Sequence, residues 1–335
     1  MIDDYLVDVP VKINIWIRPE LQKKQFEVIK KAKPSILFIQ SDGGRNEAEW
    51  AAIRQNRQMI DNGITWNCKV YRIYEEENKG LYHMGAKVNN FIWSKVDRFV
   101  GLEDDCIPSV SFFRFCKELL DKYENDERIM GICGYNPLGV YEDVSSDYFF
   151  SGETSSWSFA TWKRAWLLLY SDNFDYINEP HVLKLMRLSL GKYTYSRAIK
   201  GAKDKQIDGH PIGSEFLKGI SRATQNALFI TPKRNMISNV GCGLDSAHSF
   251  QYNTLTSAER KLFNSPVYEV GTINHPRYVI RDVLYEKELR KLLAIGMPLR
   301  KFYRRCGKFI LIARYMGLKG LSIKFKKLAA NRHET

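Results

Sequence analysis

Three consecutive acids, Glu103-Asp104-Asp105, stand at the end of a strand-forming run from Asp97 to Leu102. Carboxylates gathered at the mouth of a buried strand are costly to desolvate and repel one another unless a cation joins them. Mg2+ and Mn2+ take oxygen ligands and bridge carboxylates to a diphosphate. Such an ion offsets the charge that builds on a departing nucleoside diphosphate. The competing reading has the acids facing water ahead of the next helix. Against it, Pro108 separates them from that helix, and Ser109 is its better N-cap.

Other residues are candidates to surround the trio. Arg18 follows a first strand, and Asp42 and Arg45 lie in the turn Ser41-Asp42-Gly43-Gly44-Arg45 after a second. Asp followed by glycine is an ordinary turn. At a strand end, however, Asp42 also suits a base or ribose hydroxyl, and Arg45 suits a phosphate. Lys87 lies in the helix after Asn78-Lys79-Gly80 and is either a diphosphate contact or solvated. Asp245 and His248, three apart beyond a glycine turn, share a face in one turn of helix, where either completes a metal site. Glu215 is either a first-turn acid favoured by the helix dipole or a general base for an acceptor hydroxyl.

The elements that must position these residues alternate. Strands are predicted at Val11–Ile17, Ser35–Gln40, Cys68–Tyr74 and Asp97–Leu102, with helices at Glu20–Lys31, Glu47–Asn62 and Ala86–Lys95 between them. This is the pattern of an α/β fold with a mostly parallel central sheet, which binds ligands at the carboxyl ends of its strands. A helix is expected over Ser111–Asn125 and strands at Met130–Tyr135 and Ala227–Ile230, while residues 171–215 give no clear pattern.

The whole chain has 335 residues and 44% hydrophobic residues, enough for a packed core. Six cysteines without C-x-x-C spacing read as reduced thiols rather than zinc ligands, which points to the cytoplasm. An acidic start without an apolar run gives no signal-peptide pattern. Of the net charge of +13, most sits in Arg300–Thr335, where eleven Lys/Arg face one acid, Glu334. A nucleic-acid enzyme spreads its basic groups around its cleft, so this distribution argues against nucleic acid as a partner.

Six stretches resemble bacterial glycosyltransferases of the GT-A fold that build cell-surface polysaccharide: Ile17–Glu20, Lys33–Arg45, Glu77–Gly80, Leu102–Cys116, Trp157–Trp166 and Asn239–His248. The trio is also similar to that of the N-acetylglucosaminyltransferases that start complex N-glycans. The resemblance implies a GT-A domain over residues 8–275, with a nucleotide half (8–125) and an acceptor half (126–275). It implies transfer of a sugar from a nucleoside-diphosphate sugar, UDP favoured, to a glycan or lipid-linked acceptor, with inversion and Mn2+ or Mg2+. Asp105 would then ligate the metal, joined by His248. Glu103 and Asp104 would meet the ribose or sugar, with Asp104 next to the chemistry. Arg18 and Asp42 would meet the nucleoside, Asp245 and His248 would close over the diphosphate, and Trp157 and Trp162 would line the sugar side. Ile17 stands where the family often has Asn, and Ser214-Glu215-Phe216 where it has an aromatic–Asp–aromatic run; Glu215 as base is the analogue of that Asp.

Residues 276–335 read as a basic helical appendage. Phe302, Tyr303, Cys306, Phe309, Ile310, Ala313 and Met316 fall on one stripe, and Arg300, Lys301, Arg304, Arg305 and Lys308 on the other. Residues 299–330 are therefore expected to bind an anionic membrane surface, placing the protein on the inner face of the cytoplasmic membrane. The alternative is a helix packed on the body with a solvated basic face. Two rival functions remain: a sugar-1-phosphate nucleotidyltransferase, and a non-catalytic carbohydrate- or membrane-binding protein on the same fold. The first calls for a glycine-rich phosphate loop after the first strand, which Arg18-Pro19-Glu20 does not provide.

Overall fold

The first strand, β1 (Val7–Ile15), alternates. Val9, Val11, Ile13 and Ile15 are buried in the main core, while Lys12 and Asn14 point to the other side of the sheet. The computed structural model describes residues 4–155, 157–169, 175–208, 223–242 and 252–333. α1 (Pro19–Ala32) begins with Pro at its first turn, where no N–H is needed, and stops at Lys33 in the left-handed region. β2 (Pro34–Ser41) is almost wholly buried. α2 (Glu47–Gly63) is capped by the Asn46 side chain, which accepts from Glu49 N–H. β3 (Lys69–Tyr74), α3 (Leu81–Trp93) and β4 (Arg98–Leu102) complete the alternation.

Next come β5 (Cys106–Pro108), α4 (Ser111–Lys122), β6 (Ile129–Cys133), β7 (Tyr148–Ser151), β8 (Phe159–Trp162) and α5 (Lys163–Leu169). They are followed by α6 (Pro180–Asp208), β9 (Leu228–Pro232), β10 (Ile237–Asn239), α7 (Ser257–Arg260), α8 (Val283–Leu292) and α9 (Pro298–His333). Gly191 breaks α6 and Gly317 breaks α9, each with positive φ.

Eight strands form one sheet in the order β3-β2-β1-β4-β8-β6-β9-β7. β1 pairs in parallel with both β2 and β4, and only β8 and β7 run against the rest. The expected mostly parallel α/β sheet is what the chain forms. β5 and β10 make a separate antiparallel pair. One core joins α1, α2 and α4 to one face of the sheet; a second packs Met84, Val88, Ile92 and Trp93 of α3 on Phe38 and Phe99 of the other. Each large apolar side chain buried this way contributes about 1.5–3 kcal/mol.

The structure departs from the sequence expectations in a few places. α3 starts at Leu81 rather than Ala86. Ser109 does not cap α4, whose N-cap is Val110 with no side-chain cap bond of its own. Glu269 instead accepts from Val110 and Ser111 N–H at 2.9 and 2.7 Å. Residues 276–292 are built into the body: Tyr285 and Leu289 are buried against Tyr141 and Phe149. Among the described residues no helix is long and apolar enough to cross a membrane.

Candidate functional site

The strand order changes direction between β1 and β4, since β2 and β3 lie on one side of β1 and β4 on the other. The chain after the two strands runs on toward opposite edges of the sheet, β2 on one side and β8 on the other, which places a crevice at their carboxyl ends. Trp16, Ile17 and Arg18 follow β1 into that crevice, and Glu103-Asp104-Asp105 follow β4.

The trio forms a tight turn in which Cys106 N–H returns to Glu103 O at 3.2 Å. The Gln25 amide, buried in α1, fixes this turn by donating to Glu103 O and Cys106 O, both at 2.6 Å. Each acid has its own partner. Asn14 Nδ2 donates to Glu103 Oε2 at 3.1 Å. Arg18 grips Asp104 with Nε and Nη2 at 2.6–3.1 Å. Asn239 Nδ2 donates to Asp105 Oδ1 at 3.1 Å, and Arg18 Nη1 stands 3.6 Å from Asp105 Oδ2. The side chains of Arg18, Asp104 and Asp105 are only 16%, 18% and 22% exposed.

Negative charge dominates here. Burial raises the Asp104 pKa, Arg18 works to lower it, and the neighbouring Asp105 pushes it up again; the balance lies above the ordinary Asp value. Lys12, below on β1, has its pKa lowered by burial while Glu103 opposes that shift. The Cys106 thiol is pushed well up by burial and by Asp105 and Glu103.

β10 closes the far side. Its pairing to β5 puts Asn239 opposite Cys106, and Val240 N–H donates to Asp105 O at 2.9 Å. A Cβ on Gly241 would lie 2.7 Å from Asp105 Cγ, so only glycine lets the chain pass this close. Asn14 Oδ1, Arg18 Nη1 and Gln40 Oε1, all near the carboxyl ends of β1 and β2, are buried with no hydrogen-bond partner. Buried polar atoms left open in this way suit a bound polar ligand.

The remaining candidates fall in varied places. Asp42 braces the neighbouring loop, accepting from the N–H groups of Gly43, Lys79 and Gly80 and from Asn78 Nδ2 at 2.8–3.3 Å. Those four bonds match the roughly four lone-pair sites of a carboxylate, so a nucleoside contact by Asp42 would require exchanging one of them. Arg45 is exposed, pairs with Glu49 at 2.5 Å and lies over the Trp16 ring, 5.9 Å from its centroid. Lys87 pairs with Glu75. Trp157 is half-buried between Tyr135 and Phe263, with ring centroids 4.7 and 5.3 Å away, just before β8 begins. Trp162 is a core residue rather than part of the crevice. It pairs with Arg98 at the opposite end of β4, and its Nε1 donates to Leu120 O at 3.0 Å. Glu215, Asp245 and His248 lie outside the described residues.

Five further contributors come from the structure: Lys12, Asn14, Gln25, Asn239 and Gly241. The first two had a visible signal. A central strand buried on both faces reads as continuous apolar sequence, and VKINI interrupts that run with Lys12 and Asn14. Asn239 and Gly241 stand in the Asn239–His248 stretch of the resemblance, but their place beside Asp105 comes only from the β5–β10 pairing.

The donor set fits a divalent ion shared with a diphosphate. Such ions, Mg2+ above all, are held by one or two carboxylates plus substrate phosphates, and the Asp105 side chain is 22% exposed, with its Oδ2 3.6 Å from Arg18 Nη1. Among the described residues no group of three or more His, Cys, Asp or Glu could cage a metal unaided.

No protein-family model matches the chain, and no curated protein matches it in sequence. Among solved structures, one similar chain is a mannosyltransferase from Pyrobaculum calidifontis in complex with GDP-mannose and Mn2+. It has a TM-score of 0.34 and 12% identity, and the match covers 66% of this chain and 72% of that one. Another is a UDP-glucose pyrophosphorylase in complex with UDP-glucose, with a TM-score of 0.33, 10% identity, and 69% and 93% coverage. Likenesses this distant do not distinguish one reaction from another; the side chains of the crevice must do so.

Proposed function

We propose that the crevice between β1 and β4 binds a nucleoside-diphosphate sugar and transfers its sugar to a hydroxyl of a glycan or lipid-linked acceptor, in the assembly of surface polysaccharide. The observation that carries this reading is the pair Asp104 and Asp105. They are held side by side and mostly buried at the topological switch point, with Arg18 as a shared counter-ion. Burying two adjacent carboxylates is unfavourable unless positive charge is brought to them.

Asp105 would hold a divalent ion, which when bound stabilises the charge of the leaving diphosphate. Arg18 fixes Asp104 with a bidentate grip, and its buried Nη1, which makes no hydrogen bond, lies 3.6 Å from Asp105 Oδ2. Asn14 and Gln25 hold Glu103 in place, so the trio need not reorganise as charge develops. Inversion with a carboxylate base, for which Glu215 is the candidate, and a preference for UDP-sugars belong to this reading.

Nucleotidyl transfer is less favoured by the connection after β1. Pro19 occupies the first turn of α1 and removes a backbone N–H where a phosphate loop presents several.

The test is calorimetric titration of UDP-, GDP-, dTDP- and CMP-sugars with and without Mn2+. One donor should bind more tightly with Mn2+, and Asp105→Ala should abolish that gain. Donor binding and hydrolysis that survive Asp105→Ala unchanged would overturn the assignment.

A further inference from the structure

α9 meets the body the opposite way round from its sequence pattern. Before the break at Gly317, Lys301, Arg304, Lys308 and Ile312 are spaced i, i+3, i+7 and i+11 and share one face. That face points inward. Lys301 Nζ lies 3.6 Å from the centroid of the Tyr193 ring. Arg304 Nη1 donates to Leu292 O at 2.6 Å, and Lys308 Nζ pairs with Glu259 Oε1 at 2.5 Å. Ile312 is buried.

The apolar face points out. Leu299, Phe302, Tyr303 and Ile310 are 75%, 61%, 72% and 67% exposed, and Cys306 continues the row between them. Folding the chain therefore leaves an apolar helical stripe in water, at a cost that grows with each Å2. Exposed Arg300, Arg305 and Arg314 flank it.

We infer that this face docks on an anionic lipid bilayer. The four large side chains would lie in the interfacial layer, where aromatic rings such as Phe302 and Tyr303 are at home. The three arginines would sit at the level of the lipid phosphates. Charge complementarity selects this occupant: Arg300, Arg305 and Arg314 are exposed beside the stripe, and the one acid from Arg300 to Thr335 is Glu334. Apolar insertion and a basic flank are the two signals that together give stable peripheral binding. Exposure of a convex helix, rather than a groove, also fits a planar surface.

The inward face of α9, on the side opposite the docking face, connects to the crevice through a continuous set of contacts. Lys308 holds Glu259 of α7, the following turn donates from Asn264 N–H to Asn239 O at 2.8 Å, and Asn239 holds Asp105. The Cys242 thiol records the same proximity. Burial and then Asp105 and Glu259 push it up to about 11, and Lys308 works against them. A bilayer on α9 would then lie across this one helix from the site that would take a lipid-linked acceptor. That last step rests on the glycosyl-transfer reading, whereas the docking itself does not.

Flotation of the full chain separates the two. It should float with phosphatidylcholine vesicles containing phosphatidylglycerol and remain behind with phosphatidylcholine alone. Neutralisation to Gln at one of Arg300, Arg305 or Arg314 should lower the partition coefficient about five-fold, and at all three on the order of a hundred-fold. Phe302→Asp with Ile310→Asp, both at exposed positions, should abolish flotation while leaving the circular dichroism spectrum and Mn2+-dependent donor binding unchanged. Failure of the wild-type chain to float, or flotation of the double variant at the wild-type level, overturns the inference. So does a wild-type dimer in light scattering that this variant converts to monomer without change in flotation, since the face would then belong to a second copy.

Discussion

The crevice and α9 treat charge in opposite ways. In the crevice, carboxylates are drawn out of water and each is met by a protein donor, yet the balance stays negative around Asp104 and Asp105. On α9, lysine and arginine are drawn inward and satisfied by Glu259, a backbone carbonyl and an aromatic face, while apolar side chains stay in water. A buried charge held by its own protein is structural. A buried charge still in excess, or an apolar face still wet, points to something the protein meets later.

The comparison is broken most severely at Asp105. Asp105→Ala should lower donor turnover about 10³-fold, measured by steady-state kinetics, and remove any rise in thermal midpoint on adding Mn2+. If turnover persists, the negative excess is not used for catalysis. Gly241→Ala tests the same carboxylate without altering it, because the added methyl displaces Asp105. Turnover should fall about 10²-fold, and the double variant with Asp105→Ala should be little worse than Asp105→Ala alone.

On the helix side, Lys308→Met should cost roughly 2 kcal/mol in urea unfolding at neutral pH, since the pair is partly buried. Burial raises the Glu259 pKa, but the Lys308 bond and the Thr256 contacts outweigh it and leave the value lowered. A lowered carboxyl pKa gives stability that is present above the unfolded-state value and lost as pH falls through the folded value. The deficit of Lys308→Met should therefore shrink as the medium is acidified below the ordinary Glu range; a constant deficit would mean that packing, not charge, holds the helix. The smallest effect is expected for Glu269→Ala, a charge serving neither region. Loss of the α4 cap should cost about 1 kcal/mol with turnover retained.

The parallel half of the sheet was legible because local rules agree there. Ile36 to Ile39 is a continuous apolar run, Asn46 caps the helix that follows, and Lys33-Pro34 stops the one before. Placing the trio at the end of β4, near Arg18, needed only that alternation. The other half was not legible. β7 and β8 are four residues each inside aromatic runs, where core strand, turn and surface look alike, and their antiparallel partners β9 and β4 come from distant parts of the chain. Trp162 illustrates the difficulty. It stands five residues from Trp157 in the sequence, but β8 carries it to the other end of the sheet. The amphipathic pattern of α9 was visible; which face turns inward depends on Glu259 and Tyr193, and no periodicity reports that.

The cap on α4 bears on the order in which the protein comes into being. Synthesis runs from the amino end, so Val110 and Ser111 leave the ribosome well over a hundred residues before Glu269, which accepts from both. β5 likewise waits for β10, and Asp105 waits for Asn239 and Gly241. Non-local contacts of this kind form late because the chain between them must first be closed. A nascent chain that already displays β1 to β4 therefore has its acids in order along the sequence but not yet in space. Should the crevice take a nucleotide sugar as proposed, an unfinished polypeptide would not sequester it, because the contacts around Asp105 are complete only once the chain past Glu269 has been made.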